Sequence, residues 1–119
     1  MTLAILVADD EAGMRDTLVD ILEGAGYTVE AVADGAAALA MARRQPFDVV
    51  LMDVRMPAMT GVEVCEELVF PPPQVVLITA YALEDQLRRA RDSHVFAIVQ
   101  KPFSVPYLLE VVANAAKAA

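Results

Sequence analysis

Five short apolar runs, each followed by a stretch with helical spacing, constrain this chain more than any other feature. Strands are expected at Leu3–Ala8, Thr28–Val32, Val49–Asp53, Val75–Ala80 and Phe96–Gln100. Helices are expected at about Ala12–Glu23, Ala36–Arg43, Gly61–Leu68, Leu83–Asp92 and Val105–Ala116. A helix between two strands forms a crossover, and a crossover pairs them in parallel. Strict alternation therefore predicts an α/β fold, a single doubly wound (βα)5 domain. Its five-stranded parallel sheet would carry helices on both faces and right-handed connections. Burial of strands on both faces also accounts for a hydrophobic fraction of 57%.

Local signals agree with these elements. Met14, Leu18, Ile21, Leu22 and Ala25 fall on one face of the first helix, which Gly24 and Gly26 stop. Leu108, Leu109, Val112 and Ala115 do the same for the last helix, with Ser104 as its N-cap and Pro106 in its first turn. Pro71, Pro72 and Pro73 end the short third helix and force an extended approach to the fourth strand. The helix expected at Leu83–Asp92 has a thin apolar stripe of Leu83, Leu87 and Ala90, so it is expected to be the mobile element.

The 119 residues fit one domain, 1–119, with no output domain expected in addition. A net charge of -8 argues against direct binding to nucleic acid, whose phosphates select basic surfaces. No apolar run approaches the ~18 residues that a bilayer demands. Asp9 and Asp10 interrupt the first apolar stretch, unlike a secretory leader. Neither a membrane nor nucleic acid is therefore an expected partner. The single Cys65 cannot close an internal disulfide, which suits a cytoplasmic protein, and its helical position predicts a packed, neutral thiol.

The chemistry is expected where the strands end, because ligands of open parallel sheets collect at the carboxyl ends. The first strand runs into Asp9 and Asp10, the third ends in Asp53, the fourth in Thr79 and the fifth in Lys101. Converging carboxylates repel unless a cation compensates. A hard divalent ion such as Mg2+, held by one or two carboxylates, would do so, with the backbone carbonyl of Arg55 completing its shell. Lys101 adds a point charge for a phosphoryl oxygen, and Thr79 adds a hydroxyl. Such a set meets what phosphoryl transfer requires: an in-line nucleophile, here Asp53, with charge neutralised around it. The Lys101–Pro102 bond is a candidate cis peptide.

At these residues the chain resembles a two-component response-regulator receiver domain of the chemotaxis type, a flavodoxin-like family, over its whole length. Ile5-Leu6-Val7-Ala8-Asp9-Asp10-Glu11 is similar to the family's acidic-pair motif, and Met52-Asp53-Val54-Arg55-Met56-Pro57 with Gly61 to its phosphoacceptor motif. Thr79-Ala80-Tyr81 and Lys101-Pro102-Phe103 match the remaining two, in order. The resemblance implies a strand order of 2-1-3-4-5. It implies that Asp53 takes a phosphoryl group from the histidine of a partner sensor kinase or phosphotransfer protein. Asp9 and Asp10 would hold Mg2+, Asp10 more directly, while Thr79 moves toward the phosphoryl group and Lys101 contacts it. The domain would then be a regulatory switch, promoting only its own phosphorylation and dephosphorylation. Its output domain or downstream protein would dock on the helix at Leu83–Asp92, the fifth strand and the last helix, and phosphorylation-dependent homodimerisation fits the same picture.

The chain departs from the family at three places. Ile98 stands where the family usually has a switch aromatic, with Phe96 two residues earlier. His94-Val95 replaces the frequent Gly-Ala, and the third helix is short. These bear on output and leave the acceptor chemistry intact. Competing readings are a receiver-like scaffold that is never phosphorylated and a Mg2+-dependent aspartyl-phosphate phosphohydrolase. The second would require an acid two residues after Asp53, where Arg55 stands. A nucleotide binder would need a phosphate-cradling loop, which the five glycines do not form. His94, the only histidine, is a poor candidate for a phosphate carrier.

Overall fold

A computed structural model describes residues 2–68, 73–80, 88 and 95–119. The elements are β1 (Ala4–Ala8), α1 (Ala12–Gly24), β2 (Thr28–Val32), α2 (Gly35–Arg44), β3 (Val49–Asp53), α3 (Gly61–Glu67), β4 (Gln74–Thr79), β5 (Ala97–Gln100) and α4 (Val105–Ala118). The helix expected at Leu83–Asp92 lies outside the described residues except for Arg88, which is helical; Pro71, Pro72 and His94 also lie outside them.

All five strands are parallel and ordered β2-β1-β3-β4-β5. The period-two alternation of strand side chains sorts the core into two layers. Leu6, Ala8, Val50, Met52, Val75 and Leu77 face one way and pack with Ala38 and Leu39 of α2 and Val62, Val64 and Cys65 of α3. Ile5, Val7, Val49, Leu51, Val76 and Ile78 face the other way and pack with Leu18 and Leu22 of α1 and Leu108, Val112 and Ala115 of α4. The continuous apolar strands are thus buried on both faces, as a doubly wound sheet requires.

Several boundaries shift by one or two residues, and a few assignments change. Gly24 is the last residue of α1, and it is Gly26, at φ 98°, that turns the chain. Ala25 is exposed at the C-cap, outside the apolar face expected to include it. In α4 Leu108, Val112 and Ala115 are buried as expected, whereas Leu109 is only half-buried and Val111 is buried in addition. Phe96 sits just outside β5 and is 39% exposed, whereas Ile98 packs against the α2–α3 layer. Ser104 caps α4 as expected, its Oγ accepting from Tyr107 N–H at 3.2 Å, with Pro106 in the first turn.

Two glycines mark where backbone passes too close for a side chain. A Cβ on Gly35, at the start of α2, would collide with the Met59 carbonyl in the loop after β3. A Cβ on Gly61 would lie 2.6 Å from the Asp53 carbonyl oxygen, and Gly61 N–H donates to Val54 O at 2.9 Å. These contacts fix α2 and α3 against the loop that follows Asp53. Nothing lies within 4 Å of a Cβ on Gly13 in α1. Gly35→Ala is expected to lower stability by about 1–3 kcal/mol through overpacking. Gly13→Ala is expected to raise it by about 0.5–1 kcal/mol through helix propensity. Urea denaturation of the two variants, with opposite shifts in midpoint, checks the pair.

Candidate functional site

The register of the strands brings the expected residues to one rim. Ala8 pairs with Met52, so Asp9 follows β1 beside the Asp53 that ends β3. Asp53 pairs with Ile78 and Thr79 pairs with Gln100, which puts Thr79 one step further along β4 and Lys101 just past the end of β5. Lys101 N–H donates to Thr79 O at 2.8 Å, and the Lys101–Pro102 peptide is cis, as expected.

Asp9 is not the solvated helix-opening acid that a pair of acids before α1 could be; it is 1% exposed. Its carboxylate nevertheless serves α1, which lacks a side-chain cap of its own: Oδ1 accepts from Glu11 N–H at 2.9 Å. Asp9 Oδ2 is buried without a hydrogen bond and faces Lys101 Nζ at 3.6 Å. Asp10 is exposed. Asp53 is held at both oxygens: Oδ1 accepts from Arg55 N–H at 2.9 Å, and Oδ2 from Lys101 Nζ at 2.6 Å. Thr79 is buried, 1% exposed, at the end of β4.

One carboxylate oxygen each from Asp9, Asp10 and Asp53 lies within 4.8 Å of the others. Burial pushes the Asp9 carboxyl above its ordinary range; the Glu11 N–H and Lys101 pull it down, and the charges of Asp53 and Asp10 push it further up. For Lys101 burial works against the ammonium, but the hydrogen bond and charge of Asp53, with those of Asp9, outweigh it and hold the group above its usual value. A buried carboxylate oxygen with no hydrogen-bond donor, among converging acids, is what a hard cation with oxygen preference would satisfy. The residues therefore fit a divalent metal ion. Cys65 takes no part: it is buried in the α3 layer with its thiol pushed up to about 12, chiefly by burial and then by Glu66.

The loop from β3 to α3 carries signals that sequence reading passed over. Thr60 and Glu63 form a reciprocal capping box, Thr60 Oγ1 accepting from Glu63 N–H and Glu63 Oε1 from Thr60 N–H, each at 3.1 Å. The Thr-x-x-Glu pattern before an apolar helix is its sequence signature. Ala58 has φ 69°, and Met59 N–H donates to Pro57 O at 2.8 Å, a γ-turn of the rare positive-φ form. No residue type at position 58 announces it. Beside Lys101 a groove of about 450 Å³ opens between α1 and the start of α4, lined by Met14, Ile21, Ala80, Pro102 and Phe103.

Two substitutions test these assignments. A raised Asp9 carboxyl means that the folded state holds this proton more tightly than the unfolded state does. The resulting stability is present in acid and is lost as pH rises through the folded value. Asp9→Asn, measured without divalent metal, is therefore expected to stabilise the protein at neutral pH by about 0.5–2 kcal/mol, the usual yield of relieving a functional site. The advantage should vanish in acid, and urea midpoints across pH measure it. Ala58→Gly is expected to stabilise by about 0.5–1 kcal/mol, the left-handed cost less the entropy of glycine, as read from the thermal midpoint.

Comparison with known proteins places this rim in a family. The family model for the response regulator receiver domain matches residues 5–113. A response regulator receiver protein of Anaeromyxobacter sp. (strain Fw109-5) is 37% identical over 89% of this chain and 45% of its own length. The transcriptional regulatory protein PdtaR of Mycobacterium tuberculosis is 34% identical over 91% of this chain and 54% of its own. The chain spans about half the length of these two relatives. The polar-differentiation response regulator DivK of Brucella ovis is 31% identical over 94% of both chains. Among solved structures, a CheY-like receiver domain protein of Methanospirillum hungatei JF-1 superposes with a TM-score of 0.95, at 28% identity over 99% of this chain and 96% of that one. Fold, rim and relatives agree, and the chain belongs to the response regulator receiver domains of two-component signalling.

Proposed function

We propose that this domain is a Mg2+-dependent phosphoacceptor switch in which Asp53 takes a phosphoryl group from the histidine of a sensor kinase or phosphotransfer protein. The observation that carries the reading is the state of the rim. Asp53 is fixed by Arg55 N–H and Lys101 Nζ, next to a buried Asp9 oxygen that no hydrogen bond satisfies. Asp9, Asp10, Asp53 and the backbone carbonyl of Arg55 would hold the ion. Mg2+, when bound, offsets the repulsion among these oxygens and the charge spread over the transferred group.

The residues of the chain do the rest. A carboxylate oxygen of Asp53 forms the new P–O bond as the donor's P–N bond breaks, and the electron pair stays on the imidazole nitrogen. The product is an acyl phosphate on Asp53. Lys101, whose hydrogen bond at 2.6 Å balances the free carboxylate, is close enough to transfer that contact to a phosphoryl oxygen. Thr79 supplies a hydroxyl from the adjacent strand end. The chain acts on no outside substrate and promotes its own phosphorylation and dephosphorylation.

Readout follows from where Thr79 and Lys101 sit. Thr79 ends β4, the neighbour of β5, and Lys101 follows β5 on the way to α4, a surface that exposes Val105 (44%) and Tyr107 (49%). Partners are proposed to dock there, together with the helix expected at Leu83–Asp92: an output domain, a downstream protein or a second phosphorylated copy. Ile98 lies half-buried where the family places an aromatic side chain, so coupling of Thr79 to that surface would run through packing of an aliphatic residue. No described helix is long and apolar enough to cross a membrane, and the reducing cytoplasm is the proposed compartment.

Incubation with acetyl phosphate and Mg2+, followed by intact mass, is expected to show one phosphoryl adduct. The adduct should disappear with Asp53→Asn and with chelation of the metal. Absence of an adduct while Mg2+ demonstrably binds would leave the non-phosphorylated scaffold as the better reading.

A further inference from the structure

The two acids that open the site are joined by a single peptide, and a side chain outside the site holds it. Arg15, half-buried on the first turn of α1, reaches back and donates from Nη1 to the Asp9 carbonyl at 2.8 Å. That carbonyl belongs to the Asp9–Asp10 peptide, so its direction sets the plane from which Asp10 departs. Every other polar atom of Asp9 except one is also fixed. Its N–H donates to Val32 O at 3.2 Å, and its Oδ1 accepts from Glu11 N–H at 2.9 Å. Only Oδ2 is left without a hydrogen bond, buried and turned toward Lys101. Three tethers from β2, the start of α1 and Arg15 thus aim one carboxylate oxygen and orient the next residue.

We infer that Arg15 is a positioning residue for divalent-ion binding, acting through the Asp9–Asp10 peptide. This rests on the phosphoacceptor reading proposed above. The alternative role of a guanidinium beside the Asp9–Asp10 peptide is simple charge balance, and the two roles predict opposite signs. As a counter-charge, Arg15 competes with the metal ion, and its removal would tighten Mg2+ binding. As a tether, its removal loosens the joint between the acids, and Mg2+ binding weakens; outer-shell groups that orient ligands are commonly worth tenfold or more in metal affinity.

The test compares wild type, Arg15→Met and Arg15→Lys in the unphosphorylated full chain. Mg2+ affinity is read by calorimetric titration or amide chemical shifts, and urea midpoints serve as the fold control. Arg15→Met is expected to weaken Mg2+ about tenfold, with Arg15→Lys between it and wild type. The maximal rate of phosphorylation by acetyl phosphate should recover at saturating Mg2+, so that the loss appears in the Mg2+ requirement. Mg2+ binding by Arg15→Met as tight as wild type, or tighter, overturns the inference. If Arg15→Met does not fold, Arg15→Lys decides alone: weaker binding at unchanged net charge supports the tether, and equal binding overturns it. A wild type that neither binds Mg2+ nor accepts a phosphoryl group is a different failure, and it removes the functional reading itself.

Discussion

Parallel pairing is the constraint on which the rest depends. With all strands running one way, their carboxyl ends meet at one rim, and the register decides which residues share it. Asp9, Asp53, Thr79 and Lys101 stand at the carboxyl ends of four strands, and none is brought to another by local structure. A slip of one residue in β3 would move Asp53 off the rim and turn its apolar neighbours to the wrong layer at the same time. The two core layers therefore hold the functional geometry as a by-product of holding the sheet.

The rim is electrostatically costly, and the protein manages the cost without removing it. Asp9 is nearly inaccessible and keeps one oxygen without a donor, which raises its proton affinity. Lys101 offsets part of this with an ammonium between Asp53 and Asp9, nearer to the first. An arrangement that satisfied every oxygen with fixed hydrogen bonds would be more stable and would leave nothing for a cation to coordinate. Functional sites commonly carry such a conflict between local stability and chemistry.

Much of this was legible in the sequence, and the reasons differ from residue to residue. The alternation of apolar runs and helical periods revealed the layers because both faces of every inner strand are buried, a condition that leaves long apolar runs. The placement of Asp9, Asp53 and Thr79 at the rim was legible because each directly follows an apolar run, and that of Lys101 because it comes one residue later. Burial of Asp9 was not legible, since an acid pair before a helix reads equally well as a solvated helix start; only the third dimension puts β3 and Lys101 over it. The γ-turn at Ala58 was invisible because alanine carries no preference for positive φ. The Thr60–Glu63 box carried its signature openly. The choice between Val111 and Leu109 in α4 depended on a helix rotation that adjacent apolar residues leave undetermined.

The missing Cβ of Gly35 has a consequence for how a signal could leave the site. With the Met59 carbonyl set against α2 and the Asp53 carbonyl set against Gly61, the wall on the α2–α3 side is steric bedrock. On the opposite side, next to Lys101 and Ala80, the packing opens into a hollow of about 450 Å³. Under the proposed reading, displacement caused by a group added at Asp53 would meet close-packed backbone on the α2–α3 side and open space between α1 and the start of α4. Two glycines that contact no site side chain would in that case decide which wall of the site can yield.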